Sequence, residues 1–222
     1  MIKQRIVETN EGIQDGLTVV VFDRFAKGMR DKGWNNVDWF IDTGIKRGNI
    51  LEIGPGPGYV GLEWLKRCPQ ATLTGCEISG EMIKLAEKNA CDYGFESRAR
   101  YLEGNCMHMP VPDASFDAVI SNGSLHEWED PGKVFHEINR VLKPGGQFCV
   151  ADMRRDVNPV VKWMIYASTQ PREIRPGFIS SLNAAYTVKE ISDVLSKSPL
   201  ENVTVNKAFF GLLISGHKRL EA

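Results

Sequence analysis

The stretch Leu51-Glu52-Ile53-Gly54-Pro55-Gly56-Pro57-Gly58 decides how this chain is read. The run Asn49 to Ile53 is short, apolar and closed by glycines and prolines, so it reads as a buried strand. The segment from about Gly58 to Cys68 is patterned as a helix and stops at Pro69. A strand that passes through glycines into a helix lets a ligand reach backbone N–H groups that no Cβ shields.

Taken alone, that loop suits a nicotinamide dinucleotide, a flavin or S-adenosylmethionine, or is a plain Gly/Pro turn. Its spacing discriminates between them. The dinucleotide fingerprint G-x-G-x-x-G would place a third glycine at position 59, which is Tyr59. No G-K-[ST] follows, so a phosphate-cradling P-loop is excluded. Two prolines also remove N–H donors and weaken the loop as an anion cradle. Further on, the strand-like run Ala71 to Glu77 ends in a carboxylate. Such a group is either a solvated strand end or, at this distance from the glycines, a holder of ribose hydroxyls.

Working outward, apolar residues at helical spacing mark helices at about 12–32 and 37–45. Ser79 caps a helix carrying Met82, Ile83, Leu85, Ala86 and Ala90, and Asp130-Pro131 opens another that Lys143-Pro144-Gly145-Gly146 stops. Strand-like runs at 100–103, 116–121 and 147–151 alternate with these helices, which implies parallel βαβ units. The tail differs. Thr187 and Glu190 form a capping box, and the runs Asn202 to Val205 and Phe209 to Ser215 then follow one another without a helix. They predict an antiparallel hairpin at the end of the sheet. The stretch from about 152 to 186 is rich in Pro, Arg and aromatics, breaks the rhythm and reads as an inserted lid.

At 222 residues the chain holds one domain of this class, with a formal net charge of -1 that argues for neither nucleic acid nor an anionic membrane as partner. No apolar run reaches the roughly 20 residues of a membrane span, and the start Met1 to Ile6 lacks the apolar stretch of a signal peptide. The cysteines at 68, 76, 91, 106 and 149 are odd in number and contain no C-x-x-C. Reduced thiols and a cytoplasmic location are expected.

Four blocks occur in order: Glu52 to Gly58; Glu77; Gly104-Asn105-Cys106-Met107-His108-Met109-Pro110; and Phe116-Asp117 through Arg140-Val141-Leu142-Lys143-Pro144-Gly145-Gly146. Over about 48–152 the sequence resembles the class I S-adenosylmethionine-dependent methyltransferases, in particular the quinone-biosynthesis and other small-molecule group. The resemblance implies a Rossmann-like α/β fold: a seven-stranded, mostly parallel sheet with helices on both faces and an antiparallel C-terminal hairpin. One domain, 1–222, would comprise a helical cap (1–47), a cofactor core (48–152), the lid (153–186) and a C-terminal helix and hairpin (187–222).

It further implies S-adenosylmethionine as cofactor. Glu52 and the backbone of Gly54, Pro55, Gly56 and Gly58 would face its methionine end, and Glu77 its ribose. Ile78 and Met82 would pack near the adenine. Asn105 stands where the family usually has aspartate and Cys106 where it usually has alanine; the Asn105 side-chain oxygen can still accept from the adenine amine. Ser121 and Asn122, ending the fourth strand, would lie beneath the methionine.

Methyl transfer from a sulfonium is an in-line displacement for which a general base is optional. His126, just past the fourth strand, is the candidate base; its alternative role is shaping the pocket. Ser121-Asn122 differs from the Asp-Asn pair of catechol-type enzymes, and no H-E-x-x-H or clustered carboxylate site appears, so no metal is expected. The absence of a Pro-Pro-aromatic motif after that strand, and of a Pro-Cys nucleophile, argues against methylation of DNA bases. Phe22, Phe25, Trp163 and Tyr166 are the candidate contacts to a small, partly apolar acceptor, with packing onto the sheet as their other explanation. Two further readings stay open: a nicotinamide-dependent oxidoreductase, and a non-catalytic S-adenosylmethionine-binding module. The oligomeric state is not legible.

Overall fold

The computed structural model describes residues 4–8 and 12–220. Residues 1–3, the start of the stretch read for a leader peptide, lie outside the described residues. Two helices come first, α1 (Gly16–Asp31) and α2 (Val37–Asp42). The first begins later than the periodicity suggests, because the Asp15 side chain accepts from Leu17 N and Thr18 N and caps it there. The alternating core follows: β1 (Gly48–Ile53), α3 (Tyr59–Arg67), β2 (Ala71–Glu77), α4 (Gly80–Asp92), β3 (Ala99–Glu103), β4 (Phe116–Asn122), α5 (Pro131–Val141) and β5 (Leu142–Met153). The strand expected at 147–151 thus starts earlier. Its pairing jumps from Phe116↔Leu142 to Ala118↔Gln147, so the Lys143–Gly146 turn is a bulge inside the strand.

The stretch expected as a lid forms two helices, α6 (Pro159–Ser168) and α7 (Arg175–Ala184). The Asn158 side chain caps α6 through Val160 N at 2.8 Å, with Pro159 at its first position. The chain ends in α8 (Val188–Leu195), opened by the Thr187/Glu190 capping box, then β6 (Glu201–Lys207) and β7 (Gly211–His217).

The strands form one sheet in the order β3-β2-β1-β4-β5-β7-β6. β1 to β5 run parallel, and β7 pairs antiparallel with both β5 and β6, so β7 alone is reversed. Side-chain alternation sends Leu51, Ile53, Val119, Phe148 and Val150 to one apolar cluster and Ile50, Ala118, Ile120, Cys149 and Ala151 to the other. Burial on both faces is why these strands read as continuous apolar runs. Strand order reverses between β1 and β4, so the crevice beyond their carboxyl ends is where an open α/β sheet binds ligands.

Candidate cofactor and acceptor site

A single cavity of about 1180 Å³ opens at that crevice. Its floor is the loop after β1. Gly54 and Gly56 have φ of +64° and +51°, a left-handed conformation that L side chains rarely adopt. Space separates the two. A Cβ on Gly54 would lie 2.7 Å from Ser124 Cβ, whereas one on Gly56 would meet only Phe22 Cε1 at 3.5 Å. Gly54 is therefore pinned by packing, and Gly56 leaves bare main chain facing the cavity.

Glu77 ties this loop to the end of β2. Its Oε2 accepts from Gly56 N at 2.9 Å, while Oε1 accepts from Ile78 N at 2.9 Å and Ser79 N at 3.1 Å. Burial raises its pKa, and the three backbone donors pull the other way. A carboxylate has about four lone-pair sites, so Oε2 keeps room for a further donor such as a ribose hydroxyl. This residue set fits a nucleoside cofactor: an acceptor beside unshielded main chain, with Ile78 and the buried Met82 as apolar walls.

Of the residues the resemblance implicates, Gly54, Pro55, Gly56, Glu77, Ile78, Met82, Asn105, Cys106 and Asn122 line the cavity. Asn105 Oδ1 is turned back onto Met107 N at 2.8 Å and holds the 105–108 turn. Burial pushes the Cys106 thiol up to about 12, so it stays neutral. Asn122 accepts from Asn36 Nδ2 at 2.8 Å, joining the loop before α2 to the end of β4.

Three residues are placed differently from expectation. Glu52 lies on the opposite side of β1, where an α3 residue without a side chain, Gly61, leaves room for its carboxyl; a Cβ there would sit 2.2 Å from Glu52 Oε2. Burial pushes Glu52 up to about 8, and its Oε2 has no hydrogen-bond partner among the described residues. Gly58 caps α3 and packs against Tyr101 and Ala86. Ser121 is fully buried, donating to Ile53 O at 2.9 Å and pairing with Ser124 Oγ at 2.7 Å, so it braces the floor from below.

The roof comes from α1 and the α6–α7 segment. Phe22, Phe25 and Phe178 line the cavity, with Phe178 stacked on Phe210. Tyr59 donates to Asp23 Oδ1 at 2.8 Å and lies under the Arg30 guanidinium, which fastens α1 to the start of α3. Trp163 and Tyr166 do not line the cavity. Trp163 is exposed, and the Tyr166 ring lies under the Arg175 guanidinium on the outside of α6. The single face that α6 presents inward carries Ile165 and Ser168 instead.

His126 is in the cavity wall, and its surroundings were only partly legible. Its Nδ1 is 3.1 and 3.0 Å from the two Asp152 oxygens, and its backbone N–H donates to Asp152 Oδ2 at 2.8 Å. Nε2 lies 3.7 Å from Glu8 Oε2 and 3.9 Å from Glu127 Oε1. Burial by itself would lower the imidazole pKa, but Asp152, Glu127 and Glu8 outweigh it and raise it to about 9. Burial likewise raises Glu127 to about 7, although its side chain, which lines the cavity, is 42% exposed. A histidine held as its cation does not accept a proton at neutral pH, so base catalysis requires that Asp152 or the two glutamates first be neutralised.

Sequence reasoning missed Asp152, Glu8 and Glu127. Asp152 carried a usable signal, since it follows the apolar end of β5 just as Glu77 ends β2. Glu8 carried none. It is delivered by the N-terminal strap, where Ile6 N donates to Asn183 O, and Arg5 donates to Ala184 O and His126 O while its guanidinium lies over the Tyr186 ring.

Residues 51–150 match the family described as "Methyltransferase domain". The Bacillus subtilis protein named uncharacterized methyltransferase YdaC is 36% identical over 122 residues, covering 54% of this chain and 65% of that protein. Demethylmenaquinone methyltransferase of Thermus thermophilus is 33% identical over 134 residues, covering 60% and 59% respectively. The chain thus spans less than two thirds of the length of each of these relatives. A solved structure from Methanococcus maripaludis superposes with a TM-score of 0.73 at 22% identity, over 100% of this chain and 99% of that one, and shows the shared fold. Neither the oxidoreductase nor the binding-module reading is favoured by these findings. The order of strands, the glycine loop with Glu77 beside it and the matched family agree: residues 51–150 are a methyltransferase domain, carried on the fold shared with the Methanococcus maripaludis structure.

Proposed function

We propose that the protein transfers the methyl group of S-adenosylmethionine to a small, partly apolar acceptor held in the same cavity. The observation that carries this reading is the continuity of one space from the Gly56–Glu77 pair to the aromatic roof at Phe22, Phe25 and Phe178. At about 1180 Å³ it exceeds the roughly 300–1,000 Å³ of a pocket for one small ligand. When bound, the cofactor supplies an electrophilic methyl on a good leaving group. The chain's own residues then do the positioning: Glu77 accepts from the ribose, the Gly54–Gly56 main chain lies against the methionine end, and Ile78 and Met82 flank the base. Asn122, fixed by Asn36, limits the cavity below.

The names of relatives, demethylmenaquinone methyltransferases among them, support an acceptor with an aromatic ring, which the phenylalanines of the roof suit. The helices α1 and α6–α7 act as the lid, with Arg24 on α1 and Glu173 before α7 3.9 Å apart across its seam. A cytoplasmic site of action is consistent with five free cysteines. No helix among the described residues is long and apolar enough to cross a membrane. No nucleic-acid partner is invoked. The test is incubation with radiolabelled S-adenosylmethionine and a panel of hydroxylated aromatic and quinol acceptors. Label moving to an acceptor supports the reading; tight cofactor binding with no transfer to any acceptor favours a binding module.

A further inference from the structure

Among the described residues, one group of potential ligands brings an atom from each of three residues within 4.8 Å of one another: Glu8, His126 and Glu127. We propose that these residues form a binding site for one divalent transition-metal ion of the zinc or cobalt class, with its open position facing the cavity. The expectation of no metal rested on sequence motifs, and this site has none, because its ligands come from the N-terminal strap and the turn after β4.

Three features of the site point to an ion. His126 is 4% exposed, and among the described residues its Nε2 makes no hydrogen bond: the Glu8 and Glu127 oxygens, at 3.7 and 3.9 Å, are in ion-pair range but too distant for one. Glu8 Oε2 is likewise buried without a hydrogen-bond partner among the described residues, with the His126 ring at 3.7 Å as its ion-pair partner. Both atoms face the same gap. Metal bonds of about 2.0–2.2 Å set tetrahedral ligands about 3.4 Å apart, so each histidine–glutamate gap needs to close by a few tenths of an ångström, and the two glutamates, within 4.8 Å of each other, swing inward by about an ångström or less.

Asp152 supplies the outer support such sites use, gripping Nδ1 and the His126 backbone N–H so that Nε2 is aimed at the ion. One imidazole and two carboxylates suit zinc, cobalt or manganese better than calcium or magnesium, and three protein ligands with a free position are typical of catalytic sites. An ion there would polarise an acceptor oxygen; that role rests on the methyl-transfer reading, whereas the ion's binding does not.

The test is titration of the chelator-treated full chain with cobalt(II) chloride alone, without cofactor or acceptor, followed by visible d–d absorption and calorimetry. One saturable ion per chain is expected, displaced by zinc. Glu8→Gln and Glu127→Gln should each weaken it tenfold or more, and Asp152→Asn by ten- to a hundredfold through orientation. Absence of saturable cobalt binding by the unaltered protein overturns the proposal whether or not the variants fold. Cobalt binding that the Glu8→Gln/Glu127→Gln double variant leaves unchanged also overturns it, by placing the ion elsewhere.

Discussion

Asp152 holds His126 by three contacts, with both carboxylate oxygens about 3 Å from Nδ1 and Oδ2 also accepting the histidine's own backbone N–H. Both side chains are almost completely buried. The pair joins the carboxyl end of β5 to the turn after β4, on the ligand side of the sheet.

In chelator-treated protein, Asp152→Asn should bring the His126 pKa well down from about 9, since the largest group opposing burial is gone and only Glu127 and Glu8 still hold the cation. Because the folded pKa exceeds the unfolded one, the pair's stabilisation is fully present below pH 6.5 and disappears as pH rises through 9. The variant should therefore lose about 3–5 kcal/mol at pH 6 and much less at pH 10. Proton NMR of the imidazole and urea melts at the two pH values read both effects.

Glu77→Ala should weaken S-adenosylhomocysteine binding at least tenfold, about 1.4 kcal/mol, by removing a charge-assisted acceptor. The same change leaves Gly56 N–H, Ile78 N–H and Ser79 N–H without their acceptor, so a lower melting temperature should accompany it. Calorimetry showing unchanged affinity would count against the ribose assignment.

The two loop glycines should separate stability from binding. Gly54→Ala incurs about 1–2 kcal/mol for its left-handed backbone and in addition collides with Ser124, so it should destabilise the fold. Gly56→Ala carries the backbone term alone and places its methyl in the cavity, so its larger effect should be on cofactor affinity. Thermal melts and calorimetry on the two variants, compared side by side, check the contrast.

Glu52→Gln should flatten part of the pH dependence of stability. Burial raises Glu52 to about 8, so its neutral form is stabilising below its ordinary value of 4.5 and that contribution is lost as pH rises through 8. A neutral amide does not ionise, and the variant should outlast the parent in denaturant at pH 9. Equal stability of the two at that pH would argue that Glu52 is not forced to ionise in a dry site.

If α1 and α6–α7 close over the cofactor, hydrogen exchange in both segments should slow when S-adenosylhomocysteine is added. The sheet, already slow, should change little. Equal protection of these helices with and without ligand would end the idea of a lid.

Much of this was readable from local pattern alone. Alternation of apolar runs with capped helices determined the parallel order of the core, and two runs without a helix between them determined the reversed last strand. The residues around the loop after β1 were legible because backbone exposure and a strand-end carboxylate depend on near neighbours. What only the tertiary structure decided was the side to which a residue turns and what comes to meet it. Period-two alternation carries Glu52 to the α3 side of β1, although it directly precedes the loop, and Gly61 makes its space there. The outward face of α6 takes Trp163 and Tyr166 away from the cavity that their composition suggested. Glu8 and Asp152 reach His126 from the two flanks of the chain. No spacing rule encodes that meeting, because it follows from the strap crossing α7 while β5 lies beside β4.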